Sequence, residues 1–471
     1  MHKGFLFFVS ALICSVQIYA KVTLPEIIGD NMVLQQNSEV NLWGKSTGKI
    51  VSVSSSWSAN PVKVEVNKDG SWKIKIHTPK GSYNPQTIII SDEESITLNN
   101  ILIGEVWFAS GQSNMEMPLK GFLNCPVTKS NEIITYAGEN KNKIRFATIP
   151  RTPSYTLQDE VKGKWKECNS QNAPDFSATA FFFAKNINRA LDVPVGIINC
   201  SWGGSRVESW LPKDILQNYK DIDLSKTGIE KVIDYKRPLL MYNGMLHALT
   251  SYTIRGFIWY QGESNVGHED TYADRFSTMV KQWRSEWGQG DLPFYFVEIA
   301  PYNYGWNEQG AYLRESQFKA QSLIPNSGMI STNDLVRPYE NNQIHPCDKE
   351  DVGQRLAFLA LCGTYGWKGI ACRGPEYKSM EVKGDTAYLT FNYVDGGFNR
   401  LKDIQGFEIC GEDRTFYPAY VKVQGNTLIV SSAEVQEPVA VRYCFRNFQI
   451  GNIGNTEGLP MVPFRTDNFE K

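Results

Sequence analysis

The sequence is poor in histidine, with five in 471 residues, and it has no excess of positive charge. Its formal net charge of −2 gives no support to a surface that binds nucleic acid or an anionic membrane. Beyond residue 20, no apolar run approaches the roughly 20 residues that a membrane helix requires. The cysteines form neither a CxxC pair nor a Cys/His cluster with zinc spacing, so we expect no metal site.

Apolar residues are plentiful, at 42% of the chain, and aromatic residues make up 12%. This composition excludes a disordered or collagen-like protein and indicates large buried cores. The length predicts two or three domains, because single hydrophobic cores seldom grow beyond roughly 250–300 residues.

The amino terminus has the pattern of a secretory signal. A basic start at Lys3 precedes an apolar run over Phe5–Ile18, and the small residue Ala20 follows. We therefore predict a signal peptide over 1–20, cleavage near Ala20, and export to the periplasm or the extracellular space.

An oxidising compartment permits disulfides. We expect a mixture of buried thiols and one or two bridges, with Cys362/Cys372 and Cys410/Cys444 as the pairs to consider.

The chain divides into three parts by its hydrophobic pattern. Residues 21–100 alternate apolar and polar residues between turns such as Asp69-Gly70, which predicts an antiparallel β domain. Residues 101–368 alternate apolar runs with helical stretches, which predicts an α/β domain with a parallel sheet covered on both faces. Residues 369–471 return to the β pattern. The runs predicted as parallel strands are Ile101–Ala109, Val193–Cys200, Ile254–Tyr260, Pro293–Ile299 and Gly328–Thr332, and the predicted helices are Phe176–Leu191, Tyr272–Trp287, Ala311–Leu323 and Lys349–Leu361.

Ligands of open α/β sheets bind at the carboxyl ends of the strands, so the residues just after each run are candidates for a site. Those candidates are Ser113, Gly203, Gly204, Ser205, Arg206, Gln261, Glu263, Asn265, Glu298 and Asp334. Ser113 follows Gly111 on a predicted tight turn, which suits an exposed nucleophile, although a serine there also makes a good helix N-cap.

The few histidines allow the base to be chosen by elimination. His77 lies in the β part, His247 lies in an apolar helical stretch, and His268 has no orienting motif beside it. His345 follows the last strand, at the same edge as Ser113, so this pair suits serine catalysis. Asp334 lies on the same strand-end loop and is a candidate to orient the imidazole, or a simple turn residue.

With these residues in hand, the chain resembles the sialate O-acetylesterase family of SGNH-type hydrolases. The resemblance runs from about Leu24 to Asp467 over several ordered motifs. The matching segments are Asp30–Gln35, Gly104–Trp107, Gly111-Gln112-Ser113-Asn114-Met115, Ser201-Trp202-Gly203-Gly204, Tyr260–Asn265, Ile344-His345-Pro346 and Gly458-Leu459-Pro460.

The resemblance implies a three-layer α/β esterase domain with Ser113 as nucleophile and His345 as base. It also implies an oxyanion hole built from the Ser113 N–H, a glycine N–H at Gly204 or Gly203, and a side-chain amide. Gln261 and Asn265 both remain candidates for that amide.

The chain departs from the pattern at one point. Such hydrolases usually carry an aspartate two or three residues before the histidine, where this sequence has Gln343 and Asn342. Either Asp334 supplies the acid, or a Ser–His dyad operates with a backbone carbonyl orienting the ring.

The expected function is hydrolysis of O-acetyl groups on a sugar or glycan, with 9-O-acetylated sialic acids first among the substrates and no metal or cofactor. Arg206 offers a cation for a sialic acid carboxylate, although a structural salt bridge is its simpler use. The alternatives are an acetylxylan or pectin acetylesterase, a retaining glycoside hydrolase using Glu263 and Glu298, and a carbohydrate-binding protein without catalysis. The sequence indicates no oligomeric state.

Overall fold

The computed structural model describes residues 21–225, 235–305 and 308–470. The predicted signal peptide over 1–20 lies outside the described residues. Within the described ranges, no helix is both long enough and apolar enough to cross a membrane.

The amino-terminal part is built from β-strands that lead into a long final strand. These strands are β1 (Val22–Thr23), β2 (Val33–Gln35), β3 (Ser38–Ser46), β4 (Ile50–Ser55), β5 (Val62–Glu65), β6 (Ser71–Thr78), β7 (Ser82–Ser91) and β8 (Ser95–Gly111). The strands β1, β3 and β6 form one sheet, in which β3 and β6 show the alternating burial that the sequence pattern predicts.

The central part alternates strands with helices. Its strands are β9 (Ile144–Thr148), β10 (Trp165–Glu167), β11 (Val195–Ser201), β12 (Gly256–Tyr260), β13 (Phe294–Val297) and β14 (Ser327–Ile330). Its helices are α1 (Ser113–Glu116), α2 (Ser130–Thr135), α3 (Ala178–Leu191), α4 (Lys213–Leu216), α5 (Glu269–Trp287), α6 (Gln309–Leu323) and α7 (Glu350–Gly363).

The central sheet has the strand order β10-β9-β11-β8-β12-β13-β14, and the strands from β9 to β14 run parallel. Their side chains are buried because apolar clusters cover both faces of the sheet. Helices α3 and α7 pack on one face, and α5 packs on the other. The predicted mixed α/β class is therefore confirmed, and the sequence pattern missed only β9 and the antiparallel β10 among the strands of this sheet described here.

One strand joins the amino-terminal part to the central sheet. The first half of β8 pairs with β7 and β2, and its second half pairs with β11 and β12. The predicted boundary between residues 100 and 101 falls inside this strand. One continuous hydrophobic core also spans both parts, from Val40 and Leu42 to Trp283.

The carboxy-terminal part is again β-structure with a core of its own. Its strands are β15 (Glu376–Lys383), β16 (Thr386–Asn392), β17 (Phe407–Cys410), β18 (Tyr417–Pro418), β19 (Tyr420–Gln424), β20 (Thr427–Ser431), β21 (Ala440–Tyr443) and β22 (Phe464–Arg465). They form two sheets, ordered β15-β16-β20-β19 and β18-β17-β21-β22.

The cysteines of the described residues are free thiols, so the expected bridges at Cys362/Cys372 and Cys410/Cys444 are not formed. The thiols of Cys362 and Cys372 lie beside each other, and burial together with this contact raises the pKa of Cys362. The Cys362 thiol donates to the carbonyl of Ile370, with 3.7 Å from sulfur to oxygen, and Cys444 is fully buried in the carboxy-terminal core.

Candidate active site

A sharp turn at the end of β8 presents Ser113 above the sheet. Gly111 has φ +135°, and a Cβ at this position would clash with the carbonyl oxygen of Tyr260 on β12, so glycine is required. The turn is anchored by Gln112, whose backbone N–H donates to that carbonyl and whose side-chain oxygen accepts from the N–H groups of Gly262 and Ser264. These contacts attach the serine turn rigidly to the neighbouring strand end.

The two residues chosen from the sequence as nucleophile and base lie in hydrogen-bond contact. The distance from Ser113 Oγ to His345 Nε2 is 2.8 Å, across 232 positions of sequence. Burial, together with the positive charge of Lys349, lowers the pKa of His345 to about 4. The imidazole is therefore neutral at neutral pH, as a base that accepts the serine proton must be.

Asp334 does not orient this histidine in the structure. Both of its carboxylate oxygens accept hydrogen bonds from the guanidinium of Arg355, at 2.8 and 2.6 Å. Arg355 lies buried on α7, where its charge needs a counter-ion, and the aspartate supplies one. Among the described residues, the hydrogen-bond partner of His345 Nδ1 is instead the thiol of Cys125, with 3.7 Å between nitrogen and sulfur.

The backbone on both sides of His345 is held by a buried amide and a buried ammonium group. Asn114 Nδ2 donates to the carbonyl of Ile344 at 3.0 Å, and Lys349 Nζ donates to the carbonyl of Pro346 at 2.8 Å. Lys349 also donates to Asn114 Oδ1 at 2.7 Å, which joins the two groups. Burial lowers the pKa of Lys349 to about 8. The serine turn and the histidine loop are thus connected behind Ser113 and His345.

The glycines after β11 differ in what their N–H groups contact. The Gly203 N–H donates to the carboxylate of Glu116 at 2.7 Å, so it is already engaged. The N–H groups of Gly204 and Ser113 have no acceptor within the described ranges, and both residues line the cleft. Of the two glycines left open by the sequence, the geometry therefore favours Gly204 as an oxyanion donor.

Neither of the two candidate side-chain amides lines the cleft. Gln261 Nε2 donates to the carbonyl of Ser205 and to Asn265 Oδ1, at 3.1 and 2.7 Å. Asn265 Nδ2 donates to Glu208 at 3.0 Å, and both amide side chains are completely buried. These residues hold the loops after β11 and β12 together beneath the cleft.

The two glutamates proposed as a glycosidase pair occupy different environments. Glu263 lines the cleft, where its Oε1 accepts from Asn114 Nδ2 at 2.5 Å, and burial raises its pKa. Glu298 is fully buried, its Oε2 accepts from the Ser331 hydroxyl at 2.6 Å, and burial raises its pKa to about 7. Because Glu298 does not reach the cleft, the two carboxylates do not flank one substrate site.

The cleft around Ser113 has a volume of about 650 Å³. It is lined by Gln112, Ser113, Glu116, Phe122, Arg151, Gly203, Gly204, Arg206, Tyr235, Lys236, Glu263, Ser264, Val266, Tyr302, Tyr304, Gln309, Ile344 and His345. Arg206 Nε donates to the carbonyl of Ser264 at 2.9 Å, and the expected structural salt bridge of Arg206 is absent from the ion pairs of the described residues. Those described residues also contain no cluster of three His, Cys, Asp or Glu side chains arranged to hold a metal ion.

Three contributors to the site were missed by the sequence reasoning: Cys125, Lys349 and the supporting role of Asn114. Asn114 adjoins the nucleophile in the sequence, which is a signal that was available. Cys125 carries no local signal, because it reaches the His345 ring across 220 positions of sequence. Lys349 follows His345 closely in the sequence, but its bond to the Pro346 carbonyl depends on how the segment folds.

The comparisons with known proteins identify the family of the chain. Residues 103–361 match the family model described as carbohydrate esterase, sialic acid-specific acetylesterase. The chain is 27% identical to the mouse sialate O-acetylesterase over 510 residues, which cover 93% of each protein. It is also 27% identical to the human sialate O-acetylesterase over 485 residues, which cover 93% of this chain and 91% of that protein.

The fold is also similar to that of a solved structure. The crystal structure of a carbohydrate acetylesterase from Xanthomonas citri is similar with a TM-score of 0.84 and 32% sequence identity, over 95% of this chain and 100% of that one. The family model and these relatives define the protein as a carbohydrate O-acetylesterase. The chain belongs to the sialic acid-specific acetylesterase family of carbohydrate esterases, which confirms the resemblance found in the sequence.

Proposed function

We propose that this protein is an exported serine esterase that removes O-acetyl groups from sialic acids, the 9-O-acetyl group first among them. The observation that carries the mechanism is the 2.8 Å contact between Ser113 Oγ and His345 Nε2 inside the cleft. The SGNH-type three-layer architecture and the division into residues 21–100, 101–368 and 369–471 belong to the same proposal. The helices on both faces of the central sheet support it.

The reaction proceeds through an acyl-enzyme. His345 Nε2 takes the proton of the Ser113 hydroxyl, and Oγ attacks the acetyl carbonyl carbon. The negative charge that develops on the carbonyl oxygen is stabilised by the N–H groups of Ser113 and Gly204. The bond to the sugar oxygen then breaks, and the proton on Nε2 passes to that oxygen as the sugar alcohol leaves.

Water completes the cycle. It loses a proton to His345 Nε2 and attacks the acetyl carbonyl of the acyl-enzyme. When the bond to Oγ breaks, Ser113 regains its proton from the imidazole, and acetic acid leaves and ionises to acetate in solution. Every step uses side chains and N–H groups of this chain.

An acidic sugar as substrate is supported by the side chains of the cleft. Arg206 lines the cleft with its Nε held by the Ser264 carbonyl, and no carboxylate of the described residues pairs with its guanidinium, which suits recognition of a substrate carboxylate. Two relatives that match over most of their length are named sialate O-acetylesterase, whereas the Xanthomonas relative is described only as a carbohydrate acetylesterase.

The test measures acetate release from O-acetylated sialosides, acetylated xylan and acetylated pectin fragments. We expect the sialoside to give the highest kcat/KM. A higher kcat/KM for acetylated xylan or pectin would refute sialic acid as the preferred substrate. The Ser113→Ala variant should lose activity on all three, while Ser277→Ala on α5, outside the cleft, serves as the matched control. Substantial residual activity in folded Ser113→Ala would refute the mechanism.

A further inference from the structure

A tight turn places two side chains against the imidazole of His345. The backbone N–H groups of Phe122 and Cys125 donate to each other's carbonyls, at 2.9 and 3.0 Å, and Asn124 between them has φ +59°. The ring of Phe122 packs edge-on against the imidazole with 5.4 Å between centroids. Cys125 Sγ lies 3.7 Å from His345 Nδ1, on the side of the ring away from Ser113.

Gln343 decides the direction of the hydrogen bond between the thiol and the ring. Its Oε1 accepts from the backbone N–H of His345 at 3.3 Å, and its Nε2 donates to the carbonyl of Asn124 at 3.3 Å. These two contacts fix which end of the amide is oxygen. That oxygen lies 3.3 Å from Cys125 Sγ, so the thiol donates its proton to Gln343.

A thiol has a single proton, so the sulfur faces Nδ1 with a lone pair and acts as acceptor. The proton of the neutral imidazole is then held on Nδ1, which leaves the lone pair of Nε2 directed at the Ser113 hydroxyl. This is the tautomer that a base needs. A carboxylate fulfils the same task in most serine hydrolases, and here the sulfur occupies its place.

We propose that Cys125, with its proton held by Gln343, is the positioning residue that sets the tautomer and orientation of His345. The inference rests on the proposed Ser113/His345 mechanism. Cys125 touches no reacting atom and acts only through the imidazole. Because the thiol is uncharged, it orients the ring without adding a negative charge next to it.

The charged groups near the His345 imidazole show what a carboxylate at position 125 would change. Lys349, directly before α7, is the charge that acts on the imidazole. Glu263 accepts from Asn114, and Glu340 accepts from the backbone N–H of Cys347. No carboxylate of the described residues contacts Nδ1. An aspartate at position 125 would introduce one.

The experiment compares Cys125→Ala, Cys125→Ser and Cys125→Asp with wild type, and uses Cys372→Ala as a control for the loss of a half-buried thiol outside the cleft. The pH profile of kcat/KM and the separate kcat and KM values are measured on an aryl acetate. Cys125→Ala should lower kcat about five- to tenfold, the change expected for one net hydrogen bond, with KM within about twofold. Cys125→Ser should recover most of this loss, because its hydroxyl oxygen can also accept a hydrogen bond from Nδ1.

Cys125→Asp gives the readout that a merely structural role would not produce. A carboxylate beside Nδ1 should raise the pKa of His345 and move the acidic limb about one pH unit or more toward higher pH. An unchanged limb in folded Cys125→Asp would overturn the inference, and so would wild-type kcat in Cys125→Ala. An equal loss of kcat in Cys125→Ala and Cys125→Ser would also overturn it, because it would mean that the thiol contributes only through packing. Since the proposed function is tested separately by Ser113→Ala, its failure and that of the Cys125 inference remain distinct.

Discussion

The acidic limb of the pH–rate profile reports directly on the environment of His345. The proposed mechanism needs the neutral imidazole as base, so the rate should fall as the pH drops through the pKa of this residue. Burial and the nearby ammonium of Lys349 lower that pKa from its ordinary value of 6.5 to about 4. The enzyme should therefore stay active well below the pH at which an exposed histidine would be protonated.

The size of the effect follows from the two pKa values. At pH 5, a histidine with a pKa of 4 is roughly 90% neutral, whereas one with a pKa of 6.5 is roughly 3% neutral. Relative to its neutral plateau, kcat/KM at pH 5 should then exceed that of an enzyme with an unperturbed base about 30-fold.

The assay is kcat/KM for an aryl acetate between pH 4 and 8, since this ratio reports the free enzyme. Stability over the same range is followed by circular dichroism, so that unfolding is not mistaken for titration. Lys349, whose pKa is about 8, titrates on the opposite side of the profile. An acidic limb centred between pH 6 and 7 would refute the reasoning, because it would mean that the ring is solvated like a free imidazole.

The remaining predictions concern three charged groups. Lys349→Met should move the acidic limb toward higher pH, because it removes the positive charge that helps burial to lower the pKa of His345. An unchanged limb would mean that burial alone lowers this pKa. Asp334→Asn should lower the free energy of unfolding by about 1–3 kcal/mol, because it leaves the buried guanidinium of Arg355 without its counter-charge. The pH–rate profile of Asp334→Asn should match that of wild type. A shifted acidic limb would instead indicate that Asp334 acts on the His345 imidazole. Arg206→Gln should raise KM about tenfold or more for an acetylated sialoside and leave KM for a neutral acetylated sugar within about twofold. Equal effects on both substrates would contradict a carboxylate contact.

The sequence predicted the α/β class and the contact between Ser113 and His345, because both follow from the local hydrophobic pattern and from the topology of a parallel sheet. Buried parallel strands have a recognisable apolar composition, and the carboxyl ends of such strands meet at one edge. Ser113 and His345 therefore had to come close once the strands were identified, although 232 positions separate them. The strand β9 was not predicted because Arg145 interrupts its apolar pattern. The Arg145 guanidinium is nevertheless buried, and it donates to the backbone carbonyls of Asn31 and Asn100.

The residues around Ser113 and His345 could not be predicted from the sequence, for a different reason. Asp334 looked available until the position of Arg355 on α7 was known, and an arginine 21 residues away gives no signal of its own. Gln261 is polar at a strand end but points into the protein rather than into the cleft. The contact from Cys125 depends on a two-residue turn and one glutamine, neither of which has a periodic pattern.

The continuity of β8 limits how this enzyme can be divided or recombined. Truncation at residue 101 would remove β2 and β7 and leave the backbone of Ile101–Gly104 as an open, apolar edge, which invites aggregation. A single residue inserted between Ser95 and Asn100 would turn the side chains on one side of the insertion to the opposite face of the sheet. A chimaera that exchanges the amino-terminal part should therefore be joined outside Ser95–Gly111, so that one parent supplies the whole strand leading to the nucleophile.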